Sequence, residues 1–393
     1  MSGYIAVINA GSSSIKFALC EPKADVEIQY RGQIEGIGVN PRLTVRNAQG
    51  EAISTKTWPV VGFDHGAAAQ EILHAGARLA AGSVVGVGHR VVHGGLSYGV
   101  PVRLDQTVLA ALSRLIPLAP LHQPHNLSVI KTIFQAAPHL PQVACFDTAF
   151  HRTQPPVAQA FALPRDISEA GIRRYGFHGL SYEYLSGQMR ALYPEMARGR
   201  VIMAHLGNGA SLCAMRNGRS MASTMGFTAA DGLMMGTRCG ALDPGVILHL
   251  ITEHHMDAAG LEDLIYRKSG LLGVSGLSSD MRTLRASPEP AAQEAIALFV
   301  YRIIREIGSL VAALDGLDAL VFAGGIGEND AATRADVVQG CRWTGMVLDA
   351  GLNSAGKGRI SSDQSPVTIC VIPTDEERLI AQHTKDVLAL GSH

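Results

Sequence analysis

Along "YIAVINAGSSSIKFALCEP" an apolar run breaks on Gly-Ser-Ser-Ser and resumes after Lys16, which predicts a strand, a tight polar turn and a second strand. A phosphate loop of the Gly-Lys-Ser/Thr type would run from its lysine into a helix. Here "FALC" follows instead, so the element is a hairpin with donors at its tip. "VIMAHLGNGASLCAMRNGRSMAST" (201–224) has the same plan, with "RNG" as a further hairpin turn. Two such hairpins predict two similar domains, each presenting a polar turn to a shared cleft. "AAAQEILHAGARLAA" and "QEAIALFVYRIIREIGSLVAAL" place apolar residues at helical spacing, while "VVGVGHRVVHGG", "QVACF" and "DALVFAGGIGEN" predict buried strands ending in turns. Strands alternating with helices predict an α/β fold, a sheet flanked by helices. The Pro-rich "LIPLAPLHQPHN" and "TQPP" are expected as loops, the second a domain boundary near residue 152.

Length and charge narrow the picture. A chain of 393 residues exceeds what one core usually serves, so two domains are expected. A net charge of -1 leaves no electrostatic footprint for nucleic acid or an anionic membrane. No leader-like pattern opens the sequence and no apolar run approaches the ~20 residues of a membrane span, so a cytoplasmic protein is expected. The six cysteines form no C-x-x-C pair and read as reduced thiols. Among the 15 histidines, "HRVVH" and "HLITEHH" both lack the H-E-x-x-H order of a zinc hydrolase.

Outward-pointing N–H groups and hydroxyls in a glycine-rich turn bind anionic oxygen. For "GSSS" alone, a hairpin that merely needs small residues is an equal reading. A second such turn, with "FAGGIGEND" at a strand end, moves the balance toward a nucleotide. The latter is not the dinucleotide fingerprint, since Asp330 stands in the third glycine's place.

The blocks "INAGSSSIK", "GHRVVHGG", "FDTAFH", "YGFHG", "HLGNG", "MGTRCGALDPG", "SSDMR", "AGGIGEN" and "PTDEE", in this order from residue 8 to about 377, resemble the signature of the acetate kinase family. That family lies in the superfamily of acetate and sugar kinases, actin and heat-shock chaperones. The resemblance implies a two-domain actin-like ATPase (ribonuclease H-like) fold of duplicated βββαβαβα cores. Residues 1–150 and 380–393 would form the first domain and 151–379 the second. It also implies magnesium-dependent (or manganese-dependent) phosphoryl transfer from ATP to acetate or another short carboxylate such as propionate, giving an acyl phosphate and ADP, in a homodimer. An ATP-gated binding module on the same fold is the alternative from another class.

The chemistry explains why these residue types are needed. The nucleophile is already an ionised carboxylate, so the main task is to neutralise charge as two anions approach. Arginine suits it, because its planar fork pairs with carboxylate or phosphoryl oxygens and stays charged. By the resemblance, Arg90 holds the substrate carboxylate, Arg238 stabilises the transferring phosphoryl group and His178 hydrogen-bonds it; without the motifs these would read as salt bridges and a core histidine. Asp147 is catalytic, with the sequence leaving open whether it orients magnesium or acts as acid or base. Asn9 and Glu376 are matched to the metal, Glu377 being the neighbouring alternative. Ser12, Ser14 and Lys16 form the first phosphate clamp, and His205, Leu206, Gly207, Asn208 and Gly209 the second. Asp280, Met281 and Arg282 are matched to the nucleoside, and Gly325, Ile326, Gly327, Glu328 and Asn329 to a loop beneath it. Val92, Leu121 and Ala229 are matched to the acyl pocket. Here "FTAADGL" departs from the family, which usually has proline where this chain has Ala229.

Overall fold

The computed structural model describes residues 3–11, 14–79 and 84–390, and divides the chain into two compact units: Met1–Ala149 with Asp375–His393, and Phe150–Thr374. The first crossing thus falls inside "FDTAFH", and "TQPP" lies within unit two.

Unit one is built on a sheet of β1 (Tyr4–Ala10), β2 (Ser14–Glu21), β3 (Glu27–Glu35), β4 (Arg42–Asn47), β5 (Ala52–Thr57), β6 (Val84–Val91), β7 (Val102–Arg103) and β8 (Gln142–Phe146), in the order β5-β4-β3-β2-β1-β6-β8-β7. The strands β1 to β5 pair as antiparallel neighbours, whereas β1, β6 and β8 run parallel. Parallel strands need helical crossovers, and those helices cover both faces; every residue of "QVACF" in β8 is accordingly buried. At the open edge, β5 is exposed throughout and carries Lys56, which discourages pairing with another chain. The returning helix Glu376–Val387 buries Ile380, Ala381 and Thr384 against this sheet. Gly88 of β6 permits that approach: a Cβ there would lie 2.7 Å from the Ile380 side chain and would collide with Thr384 Oγ1.

Unit two repeats the plan with β9 (Arg200–Leu206), β10 (Ala210–Arg216), β11 (Arg219–Ser223), β12 (Ala319–Ala323), β13 (Gly358–Arg359) and β14 (Thr368–Val371), ordered β11-β10-β9-β12-β14-β13. Again three antiparallel strands are followed by parallel neighbours, β9 to β12 to β14. The turn at "RNG" has Asn217 and Gly218 both at positive φ, the requirement of a two-residue hairpin of the mirror-image type.

Two expectations change. "GGIGEN" is not a turn but the short helix Gly324–Asn329, which closes because Glu328 Oε1 accepts the Gly324 N–H at 2.8 Å. "LIPLAPLHQPHN" is not wholly loop: it holds the 3-10 turn Ile116–Leu118 and opens the helix Gln123–Ala136, where Pro124 sits in the first turn and its missing N–H removes no bond.

Candidate active site

In unit one the parallel strands end side by side, so residues from their carboxyl ends emerge together. Arg90, near the end of β6, donates from Nε to Asp147 Oδ1 (3.0 Å) and from Nη2 to Asp147 Oδ2 (2.6 Å), and from Nη1 to Asn9 Oδ1 (3.1 Å). Its Nε lies 3.9 Å from Glu376 Oε2, at the start of the returning helix. All four residues belong to unit one. Burial opposes the charge of Arg90, but Asp147 and then Glu376 outweigh it and raise its pKa. Burial in turn pushes the Glu376 carboxyl well above the usual carboxylate range; Arg90 and Lys16 pull it down, Asp147 and Glu377 push it up. Lys16 stands opposite Asn9 in the β1–β2 register, so both project from the same face.

The two neighbouring glutamates have different partners. Glu377 pairs with Arg31 at 2.9 Å and leaves Glu376 beside Arg90. Among the described residues no group of three or more His, Cys, Asp and Glu could enclose a metal ion. A partial set of hard oxygen donors, Asn9 and Glu376 near Asp147, still fits magnesium, which usually keeps several waters and takes one or two carboxylates together with substrate phosphates.

The tip of the first hairpin is closed by Gly11, whose N–H donates to the Ser14 carbonyl at 2.8 Å. Ser14 and Lys16 are on β2; Ser12 lies outside the described residues. Val92 is buried just beyond β6 and Leu121 is half-buried in the turn before Gln123–Ala136. The sequence reading missed Asn126, which accepts from the Val92 N–H (3.1 Å) and donates to the Ala10 carbonyl (2.7 Å), tying the ends of β6 and β1.

In unit two the second hairpin turns through Gly207, Asn208 and Gly209 between β9 and β10. Asn208 fits because Gly236 has no side chain; a Cβ there would collide with Asn208 Oδ1. His178 precedes the helix Gly179–Leu192 in a left-handed conformation (φ 57°), and its ring stacks on His205 with centroids 4.4 Å apart. A Cβ on Gly209 would lie 3.1 Å from His178 Nε2 and 3.2 Å from Arg238 Nη2, so histidine, arginine and hairpin tip converge with little space between them. Arg238 is aimed by its Nη1–H bond to the Ala229 carbonyl at 2.6 Å. Asp231 of the same segment pairs with Arg174 at 3.1 Å.

Beside this tip is a cavity of about 850 Å³ lined by Gly207, Asn208, Asp280, Met281, Arg282, Gly325, Ile326 and Asn329, with Ser279, Arg285 and Asp330, which the sequence did not mark as site residues. Gly327 and Glu328 do not line it. Gly327 is buried, and the Glu328 side chain turns back to accept from the Gly324 and Thr374 N–H groups, at 2.8 and 3.2 Å. His205 and Leu206 also stand behind the tip: His205 Nδ1 lies 2.8 Å from Ser181 Oγ, and Leu206 is fully buried.

The acetokinase family pattern matches residues 4–382. Acetate kinase from Rhodopseudomonas palustris (strain ATCC BAA-98 / CGA009) is 53% identical over 98% of both chains, and that of Methylocella silvestris is 51% identical over 99% of this chain and 98% of its own. Among solved structures, acetate kinase from Porphyromonas gingivalis superposes with a TM-score of 0.88 at 37% identity, and a propionate kinase from Francisella tularensis with 0.91 at 35%, each covering 98% of this chain and all of its own. The duplicated sheets are those of the actin-like ATPase fold. The chain belongs to the acetokinase family, phosphotransferases with a carboxylate acceptor.

Proposed function

We propose that this chain transfers the γ-phosphoryl group of ATP to acetate, reversibly, giving acetyl phosphate and ADP. The observation that carries the reading is the convergence of His178 Nε2 and Arg238 Nη2 on Gly209, at the edge of a cavity large enough for a nucleoside. An acetate oxygen forms a bond to the γ-phosphorus while the bond to the β,γ-bridging oxygen breaks, and ADP leaves with that electron pair. Arg238 and His178 donate to the phosphoryl oxygens as charge spreads over them. Arg90 pairs with the acetate carboxylate. Asp147 positions Arg90 and the metal shell, for the acetate arrives without a proton and leaves no base work to do. Ser12, Ser14 and Lys16 in unit one, and Gly207 to Gly209 in unit two, bind phosphates. Asp280 to Arg282 and the helix Gly324–Asn329 hold the nucleoside. Magnesium, which Asn9 and Glu376 would hold, supplies charge neutralisation on the phosphates.

Propionate is the second reading. Ala229 is smaller than the proline usual in the family, and the propionate kinase from Francisella tularensis is among the structural neighbours. A homodimer is part of the proposal: the helix Pro244–Thr252 ("PGVILHLIT") buries none of its residues and exposes Val246, Leu248 and Ile251. So is a cytoplasmic location. The six cysteines are free, as suits a reducing compartment, and no helix among the described residues is long and apolar enough to cross a membrane. Hydroxylamine trapping tests the activity: hydroxamate should form only with ATP, magnesium and a carboxylate, faster with acetate than with propionate. No hydroxamate from acetate, propionate or butyrate would refute the kinase reading.

A further inference from the structure

Behind His178 a buried line of hydroxyls runs through unit two. The Tyr182 hydroxyl, in the first turn of Gly179–Leu192, lies 2.5 Å from Ser211 Oγ, and Ser211 Oγ lies 2.8 Å from His178 Nδ1. Tyr182 and Ser211 are both 0% exposed, so no water competes for these bonds. The Tyr182 oxygen is also hydrogen-bonded by the main chain of His205.

That main-chain contact gives the line a direction. A backbone N–H only donates, so the Tyr182 oxygen accepts there and its own proton goes to Ser211. In the arrangement this allows, Ser211 accepts from Tyr182 and its own proton goes to His178 Nδ1. A neutral imidazole that accepts at Nδ1 carries its hydrogen on Nε2, the nitrogen that faces Gly209. The stack on His205 and the left-handed backbone orient the ring, but neither selects between its two tautomers.

We propose that Tyr182 and Ser211 are positioning residues that hold His178 as the Nε2–H tautomer, so that it presents a donor to the transferring phosphoryl group. The proposal rests on the reading of His178 given above. Phosphoryl oxygens only accept hydrogen bonds; the other tautomer would turn a lone pair toward an anion and lose the interaction as its charge redistributes.

The test uses the full chain with 15N-labelled histidine and long-range 1H–15N spectra, with His178 assigned by comparison with H178Q. In the wild type, His178 should carry its hydrogen on Nε2. In Ser211→Ala the Nδ1–H form should become populated, with kcat lowered on the order of 10-fold or more and KM for ATP and acetate within about 2-fold. Tyr182→Phe, which keeps the ring and its packing, should move the tautomer in the same direction and lower kcat less. A wild-type His178 protonated on Nδ1, or a tautomer and kcat unmoved in Tyr182→Phe, would overturn the proposal. H178Q with wild-type kcat would overturn the assignment of His178 itself, and the tautomer in the spectra would still decide whether the relay exists.

Discussion

At the scale of single residues, the two arginines differ in what surrounds them. Arg90 is bonded to Asp147 and Asn9 within unit one, so its fork is aligned before any substrate arrives. Arg238 donates from Nη1 to the main-chain carbonyl of Ala229, and its Nη2 lies at the hairpin tip. Different kinetic consequences follow. Arg238→Ala should remove a bond made mainly in the transition state and lower kcat by roughly 100-fold, about 3 kcal/mol, with little change in KM. Arg90→Ala should lower kcat and also raise KM for the carboxylate. Steady-state kinetics with both substrates varied checks this, and near-normal kcat/KM in either variant would leave that arginine a structural ion pair. His178 and Arg238 were recognised from their motifs. Asn126, Ser211 and Tyr182 were not, because a buried asparagine, serine or tyrosine carries no spacing signal and shows its use only through its partners.

At the scale of elements, the helix Gly324–Asn329 lines the cavity proposed for the nucleoside and is too short to be stable alone. It is held from below by Arg334, which is 1% exposed and donates to the carbonyls of Gly327 and Glu328, each at 2.9 Å, and to Asn353 Oδ1 and its carbonyl at 2.8 and 2.6 Å. No carboxylate balances this buried cation in these bonds; burial lowers its pKa, and four oxygens take up its donors. Arg334→Met keeps much of the volume and strands those oxygens, at a cost of about 2–4 kcal/mol. At about 2–4 °C per kcal/mol, the melting temperature should fall by several degrees. The affinity for ADP, measured by calorimetry at a temperature where the variant is folded, should weaken several-fold. An unchanged melting temperature and ADP affinity would show that the helix keeps its place without the arginine.

At the scale of the whole molecule, each unit repeats one order of strands, and the apolar face left uncovered belongs to unit two. In the helix Pro244–Thr252 Leu248 is 63% exposed, an arrangement that a second copy of the chain would relieve. Light scattering should therefore give twice the 41.6 kDa of one chain, and Leu248→Glu should shift the mass toward the single chain without loss of helix content. A wild-type protein that runs as a monomer at micromolar concentration would contradict the homodimer.

Short-range information was enough for much of the architecture. The apolar runs of β1 and β2, the glycine turns between strands and the apolar periodicity of the helix Pro290–Leu314 are properties of neighbouring residues, and they appear in the sequence as they do in the structure. The family motifs singled out Arg90, Asp147, His178 and Arg238 because short blocks of residues in a fixed order can be matched along the chain. What needed the tertiary structure was every statement about pairing at long range. "GGIGEN" became a helix because one glutamate closes its first turn and Arg334, from the next helix and itself anchored on Asn353, takes its last carbonyls. Glu376 and Glu377 face different arginines, Arg90 and Arg31, which stand far earlier in the chain. The surroundings of His178 come from a tyrosine one helical turn on and from a serine on β10, and the tautomer of a histidine depends on what its far nitrogen meets in space.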